Sequence, residues 1–202
     1  MKELAHGLYL TQTSLNLTNL RETSKLIYDK VKNLPLDTIW ENNDGQKFAP
    51  NTTKAFSQYN VLTFPLPQIH ELYHEIKKFF YGCEKTYYGT NLKCNYFCQA
   101  WINVYKKGQF IDWHGHHYNV ARAWHGFISV STEPSETIYK FLNDKILSVP
   151  NYDGQLILGL SENNKHKTNP WPFEDRNRVT IAFDIIDRIG LKNVSPNHWI
   201  PI

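Results

Sequence analysis

No stretch of the sequence is apolar for long enough to cross a bilayer as a helix, and no block of lysine or arginine marks a surface for nucleic acid or anionic lipid. A net charge of +3 spread over 202 residues is too small to suggest either partner. Cysteine is scarce. Cys83, Cys94 and Cys98 form an odd set with no framework spacing, so reduced thiols in a cytosol-like compartment are expected rather than a disulfide scaffold. Cys94 and Cys98 make a C-x3-C pair, but a zinc knuckle needs a second pair that the sequence lacks. The opening MKELAHGLYLTQTS has no apolar centre of the kind a secretion signal carries. Repeats and low-complexity tracts are also missing. These absences leave a cytoplasmic globular chain as the expectation, one domain spanning 1–202. Its 41% hydrophobic and 14% aromatic content is enough to build a core.

Periodicity divides that domain into an N-terminal helical or mixed segment, 1–94, and a β-rich core, 95–190. A helix capped by Thr18 or Asn19 is predicted to run to about Leu34, with Leu20, Ile27 and Val31 apolar. The polar stretch ENNDGQKFAPNTTK reads as a loop. In PLPQIHELYHEIKKFFYG, Pro67 supplies a start signal and Gly82 a stop signal around periodic apolar residues. From Asn95 the period falls to two. NYFCQAWINVY, WHGFISVS, ETIYKF, GQLILGL and NRVTIAFDI read as strands, separated by turn-rich KKGQ, STEPSE, PNYDG and SENNKHKTNP. Helices followed by many short strands predict a mainly β fold with flanking helices. The expected form is a cupin-like jelly roll, or double-stranded β-helix, with the N-terminal helices packed outside.

Two histidine motifs compete. His70-Glu71-Leu72-Tyr73-His74 fits the H-E-x-x-H pattern of zinc peptidases, where two imidazoles one turn apart hold zinc and the carboxylate activates its water. Helical geometry argues against it. Ile69, Leu72, Tyr73, Ile76, Phe79 and Phe80 form the apolar face, and the two histidines fall off it. The second motif, FIDWHGHHYN, crowds His114, His116 and His117 together. Strand alternation would put Asp112, His114 and His116 on one face and turn His117 away. An H-x-H pair on a strand can chelate a metal with a third ligand from a distant strand. His166, in the polar stretch after GQLILGL, is the first candidate; His125 and His198 are the others.

With these residues on the page, INVYKKGQFIDWHGH resembles the N-x-Y-x-x-G…H-x-D/E entry to the metal site of the iron(II)- and 2-oxoglutarate-dependent oxygenases. Asn103, Tyr105 and Gly108 stand where that pattern wants them, and His114 follows Asn103 by eleven residues. That spacing is similar to the nucleic-acid demethylase branch. The wording WINVYKKG and HGFISV is more similar to a group of these oxygenases in bacteria and phages, where an H-x-H also occurs. NRVTIAF resembles the family's R-x-S/T strand, with Arg178 twelve residues after His166, and Gly154 also fits. The resemblance covers roughly residues 95–186.

The resemblance implies an Fe(II)- and 2-oxoglutarate-dependent dioxygenase that hydroxylates a peptide side chain or a small molecule, releasing succinate and carbon dioxide. It implies His114, His116 and His166 as metal ligands. It implies Arg178, with its fork of donors, and Thr180 on the far carboxylate of 2-oxoglutarate, and Asn103 and Tyr105 beside the co-substrate. Most of the family has Asp or Glu where His116 stands, so the ligand set is one negative charge short. Asp112 could orient a ligand or itself be the missing carboxylate, and His117 could meet substrate. A metal-binding jelly roll without catalysis and the H-E-x-x-H peptidase are the rival readings. Trp101, Trp113, Trp124 and Trp171 can line an aromatic mouth or fill the core. Substrate and oligomeric state are not written in the sequence.

Overall fold

Alternation of β-branched and aromatic residues with small polar ones builds two facing antiparallel sheets. The computed structural model describes residues 1–34, 51–55, 60–89, 95–117, 120, 122–162, 164–192 and 198–202. Its strands are β1 (Lys2–Ala5), β2 (Leu8–Gln12), β3 (Tyr96–Tyr105), β4 (Trp124–Ser131), β5 (Ser135–Phe141), β6 (Ile146–Asn151), β7 (Gln155–Leu160), β8 (Asn164–Thr168), β9 (Arg178–Asp187) and β10 (Ile200–Pro201). Its helices are α1 (Leu17–Val31), α2 (Pro67–Tyr88) and the short α3 (Arg188–Leu191). Seven strands form one sheet in the order β1-β2-β7-β4-β9-β3-β10, and three form the other in the order β6-β5-β8. This is the jelly roll that the strand pattern predicts.

The period of two assigns each face of the large sheet. Cys98, Ala100 and Ile102 of β3, Trp124, Ile128 and Val130 of β4, and Ile181, Phe183 and Ile185 of β9 join Ile69, Leu72, Ile76 and Phe80 of α2 in the main core. The opposite face therefore looks into the barrel. It carries Trp101, Asn103 and Tyr105 of β3, His125 and Phe127 of β4, and Arg178, Thr180, Ala182 and Asp184 of β9. The register sets these side by side: Tyr105 pairs with Arg178, Asn103 with Thr180, and Asp184 with both Gln99 and His125. Phe127, Ile157 and Tyr139 form the apolar filling between the sheets. At Gly126 a Cβ would come within 2.3 Å of the Ile157 carbonyl oxygen, so only glycine lets β4 and β7 approach this closely.

Several expected boundaries move. The cap of α1 is Asn16, whose side chain accepts from the Asn19 backbone N–H at 3.1 Å, so the helix starts earlier than a Thr18 or Asn19 cap would place it. α2 runs through Gly82 and ends at Gly89, whose φ of 85° gives the left-handed turn that glycine adopts without strain. A buried apolar face carries the helix past a glycine that costs only about 1 kcal/mol. β1, β2, β6, β8 and β10 are strands that the sequence pattern does not announce. Most of the ENNDGQKFAPNTTK loop, and Cys94, lie outside the described residues; Cys83 and Cys98 are buried free thiols.

Candidate metal centre

The three expected ligands meet at the open edge of the small sheet. Residues 110–117 do not form a regular strand. His114 alone bridges to His166 on β8, with its N–H donating to the His166 carbonyl at 3.1 Å and receiving the His166 N–H at 2.9 Å. Thr168 N–H donates to the Ile111 carbonyl at 3.0 Å and extends the pairing. The result is a fragmentary fourth strand that delivers His114 and His116 beside His166. One ring nitrogen from each of His114, His116 and His166 lies within 4.8 Å of the others, and they are the one such group of three among the described residues. His166 thus stands on a strand, not in the polar loop expected from SENNKHKTNP. The cross-strand pairing to β5, where Tyr139 faces His166, overrides the turn-like composition.

Stacking fixes the ring planes. His116 lies parallel to His166 at 5.4 Å and to His125 at 4.9 Å, and Trp101 stacks on its outer side at 6.1 Å. Hydrogen-bond partners set which nitrogen faces inward. The His114 Nδ1 lies 2.8 Å from the Asp112 carbonyl oxygen, and the His116 Nδ1 lies 2.9 Å from Asp184 Oδ1. The His166 Nδ1 is buried with no hydrogen-bond partner. Converging imidazoles, one with an orphaned buried nitrogen, fit a divalent metal that prefers nitrogen donors.

Other expectations fall differently. Asp112 is exposed; its carboxylate accepts from the Trp113 N–H at 2.7 Å, and only its backbone carbonyl reaches His114. It is not poised as the missing carboxylate. His117 does not turn outward: with φ at 43° it folds back so that Nε2 lies 3.1 Å from Asp184 Oδ2. Strand alternation fails for both because the segment is irregular. His125 stacks on the cluster, and its Nδ1 lies 3.4 Å from Ser161 Oγ, but it does not join the converging set. Nor does His198, whose carbonyl accepts from Asn60. In the H-E-x-x-H helix, His70, Glu71 and His74 are all exposed, and the two rings meet each other at 3.1 Å. No third donor joins them among the described residues.

Farther along the barrel interior, Arg178 is 3% exposed and pairs with no carboxylate among the described residues. Its Nε donates to Ser135 Oγ at 3.3 Å, and its guanidinium lies over the Tyr105 ring at 5.2 Å. The acidic residue that could have drawn it to the surface, Glu174, instead meets Lys107 at 3.2 Å. Tyr139 links the two regions, its ring 5.7 Å from His166 and its hydroxyl in the field of Arg178. Thr180 and Asn103 are buried on the same inner face, cross-strand neighbours in register. Trp124 and Trp171 are core residues, whereas Trp113 is exposed.

Electrostatics keep the cluster neutral. Burial, then the neighbouring His116 ring, push His114 down to about 3, with the Asp112 carbonyl pulling the other way. Burial holds His116 below its ordinary value against the pull of Asp184, and holds His125 and His166 well below. Burial alone would raise the Asp184 carboxyl, but His116, Lys54 and His117 outweigh it and keep it ionised. Unfolded imidazoles take up protons near 6.5. Below that pH the unfolded chain binds more protons than the folded one, so stability rises with pH there. The metal-free protein is expected to lose stability as pH falls from about 6.5 towards 3, by up to about 1.4 kcal/mol per pH unit for each buried imidazole. Asp184, depressed when folded, adds in the same direction. Urea titrations of metal-free protein across this range check it; a flat profile would mean that the imidazoles are accessible to protons.

The sequence pattern alone did not single out Asp184, Lys54, Ser135 or Tyr139. Asp184 was within reach: it follows Arg178 by six residues on the same alternation and is an acid inside an otherwise apolar strand. Lys54 was not, because it arrives from a separate segment. Thr52 bridges Asn103, and Thr53 Oγ1 accepts the Ile102 N–H at 2.8 Å, which lays Lys54 over Trp101 with Nζ 3.8 Å from the ring centre.

No protein-family model matches the chain, and no curated protein matches it in sequence. Solved structures match its fold. A prolyl-4-hydroxylase of Pseudomonas putida superposes with a TM-score of 0.65 at 12% identity, over 91% of this chain and 94% of that one. A prolyl hydroxylase of Trichoplax adhaerens, in complex with a hypoxia inducible factor oxygen degradation domain peptide fragment, gives 0.62 at 12% identity, over 94% and 88%. A non-heme alpha ketoglutarate dependent carbocyclase from nogalamycin biosynthesis gives 0.63 at 12% identity, over 98% and 89%. The chain has the fold of 2-oxoglutarate–Fe(II) oxygenase structures.

Proposed function

We propose that the protein is an Fe(II)- and 2-oxoglutarate-dependent dioxygenase, one domain spanning residues 1–202, that hydroxylates a peptide side chain or a small molecule. The observation that carries this reading is a pair of sites in one barrel. Three neutral imidazoles converge at its mouth, and a buried arginine with no carboxylate partner among the described residues stands deeper inside. A cation buried without an anion is costly unless a ligand brings the anion. A dicarboxylate co-substrate meets both needs: its oxo-acid end has the metal to chelate, and its far carboxylate has Arg178.

In this reading His114, His116 and His166 hold the iron. Arg178 grips the distal carboxylate by two parallel N–H donors, and Ser135, Thr180, Tyr105 and Tyr139 surround it with hydroxyls. Asn103 borders the co-substrate from β3. The bound metal supplies dioxygen chemistry, with 2-oxoglutarate as the two-electron reductant. Overall, R–H, O2 and 2-oxoglutarate give R–OH, succinate and CO2; one oxygen atom enters the product and the other the succinate carboxylate. The side chains themselves orient the co-substrate and exclude water. Phe110, at 45% exposure, and Trp113, at 37%, flank the histidine segment and offer an apolar landing for substrate. No helix among the described residues is long and apolar enough to cross a membrane. A cytoplasmic location, read from the scarce and reduced cysteine, belongs to the same proposal.

Anaerobic protein loaded with Fe(II) and then with 2-oxoglutarate is expected to develop a weak visible charge-transfer band, the mark of a chelated 2-oxo acid. Iron-loaded protein that shows no band would retain the metal-binding jelly roll and lose the oxygenase.

A further inference from the structure

A buried carboxylate lies behind the imidazole cluster, and the metal-ligand set does not use it. Asp184 is 0% exposed on the inner face of β9. Burying a carboxylate costs several kcal/mol unless its partners compensate. Its partners are specific. His116 Nδ1 lies 2.9 Å from Oδ1, and His117 Nε2 and Lys54 Nζ lie 3.1 and 3.4 Å from Oδ2. Of these only Lys54 is a permanent cation, and 30% of its side chain is open to solvent, which screens it. The contact to His116 has the length of a hydrogen bond, yet Oδ1 has no aligned donor. The group facing that orphaned oxygen is the ring that breaks the usual ligand pattern.

We propose that Asp184 is the positioning residue of the metal centre: it braces His116 from behind and supplies, one ring removed, the negative charge that an all-imidazole ligand set lacks. This rests on the metal-centre reading above. Ligand imidazoles usually donate their other N–H to a carbonyl or carboxylate, which fixes the tautomer and raises ring basicity. His114 has a neutral carbonyl in that place, from Asp112, whereas His116 has a full carboxylate. Asp184 is not itself in the converging group, so its charge reaches the metal through His116. The Nδ1 of His116 faces Asp184, which leaves Nε2 for the ion. Parallel stacking between Trp101 on one side and His125 on the other lets the ring slide in its plane, as seating on an ion and aligning Nδ1–H with Oδ1 requires. His117, held in a left-handed backbone conformation, closes the far side of the carboxylate.

Co(II) tests this without turnover. Chelator competition and visible d–d absorption are measured on the full chain for wild type, Asp184→Asn, Asp184→Glu and Lys54→Met. Asp184→Asn is expected to bind Co(II) about 10–100-fold more weakly and with shifted bands. Asp184→Glu should recover part of both. Lys54→Met, which removes only the surface-side cation, should bind at least as tightly as wild type. Asp184→Asn with wild-type affinity and bands overturns the proposal, and so does a matching loss in Lys54→Met, which would make the pair merely structural. His114→Ala and His166→Ala separate the two readings: if they also retain Co(II), the metal centre itself fails and this inference with it. Should Asp184→Asn not fold, nitrogen-15 NMR of the Zn(II)-loaded wild type decides. A proton on His116 Nδ1 with the metal on Nε2 is required, and the opposite tautomer overturns the proposal.

Discussion

Replacing His114, His116 or His166 by alanine is expected to strip the protein of its metal, each loss exceeding the roughly 10–100-fold penalty typical of an orienting residue. Three donors from two chain segments share one ion, so removing any one leaves a bidentate site in competition with water. The geometry also ranks the neighbours. His117→Ala removes one partner of Asp184 but no converging nitrogen, and should cost much less. Asp112→Asn should be nearly silent, because the carbonyl that reaches His114 belongs to the backbone. Metal content after dialysis, together with apo-state melting to separate folding from binding, checks all five. If His117→Ala loses metal while His116→Ala retains it, the segment after His114 binds in a register one residue away. If Asp112→Asn behaves like His114→Ala, the carboxylate swings in on binding.

How far the sequence reached depends on the kind of signal. β3, β4 and β9 were legible because their side chains alternate between an apolar helix-facing row and an inward row, and that period survives reading without coordinates. The same alternation correctly put Arg178 with Thr180 and Asn103 with Tyr105. It failed between Ile111 and His117. There the chain pairs with β8 only at isolated points, and His117 takes a positive φ that no periodicity forecasts. β8 was hidden for a different reason: NKHKT is polar, and its strand state comes from pairing with β5 across the barrel. Lys54 was hidden because long-range pairing to β3, not local pattern, carries it over Trp101. Local chemistry therefore reported the ligands, and tertiary pairing reported what surrounds them.

Arg178→Met is expected to abolish tight 2-oxoglutarate binding while leaving metal content unchanged. The lost contact is a charge-assisted pair in a site closed to water, and removing one side of such a pair costs about 2–5 kcal/mol. That corresponds to a loss of affinity between about 30-fold and several thousand-fold. Arg178→Lys should recover only part, because an ammonium keeps the charge but not the planar fork that meets both carboxylate oxygens. Stability supplies an independent check with the opposite sign. Without co-substrate, Arg178 is a buried cation among Tyr105, Tyr139 and Ser135, with burial lowering its pKa and only the two tyrosines opposing. Replacing it by an unbranched apolar side chain of similar length removes that desolvation cost. The metal-loaded variant without 2-oxoglutarate should therefore melt no lower than wild type. Adding the co-substrate should raise the melting temperature of wild type alone. Calorimetric titration with the oxalyl-glycine mimic and paired melts measure both quantities. An unchanged affinity would transfer the anion-binding role to another cation of the barrel. A variant that melts well below wild type without ligand would make Arg178 a structural residue that the fold uses for itself.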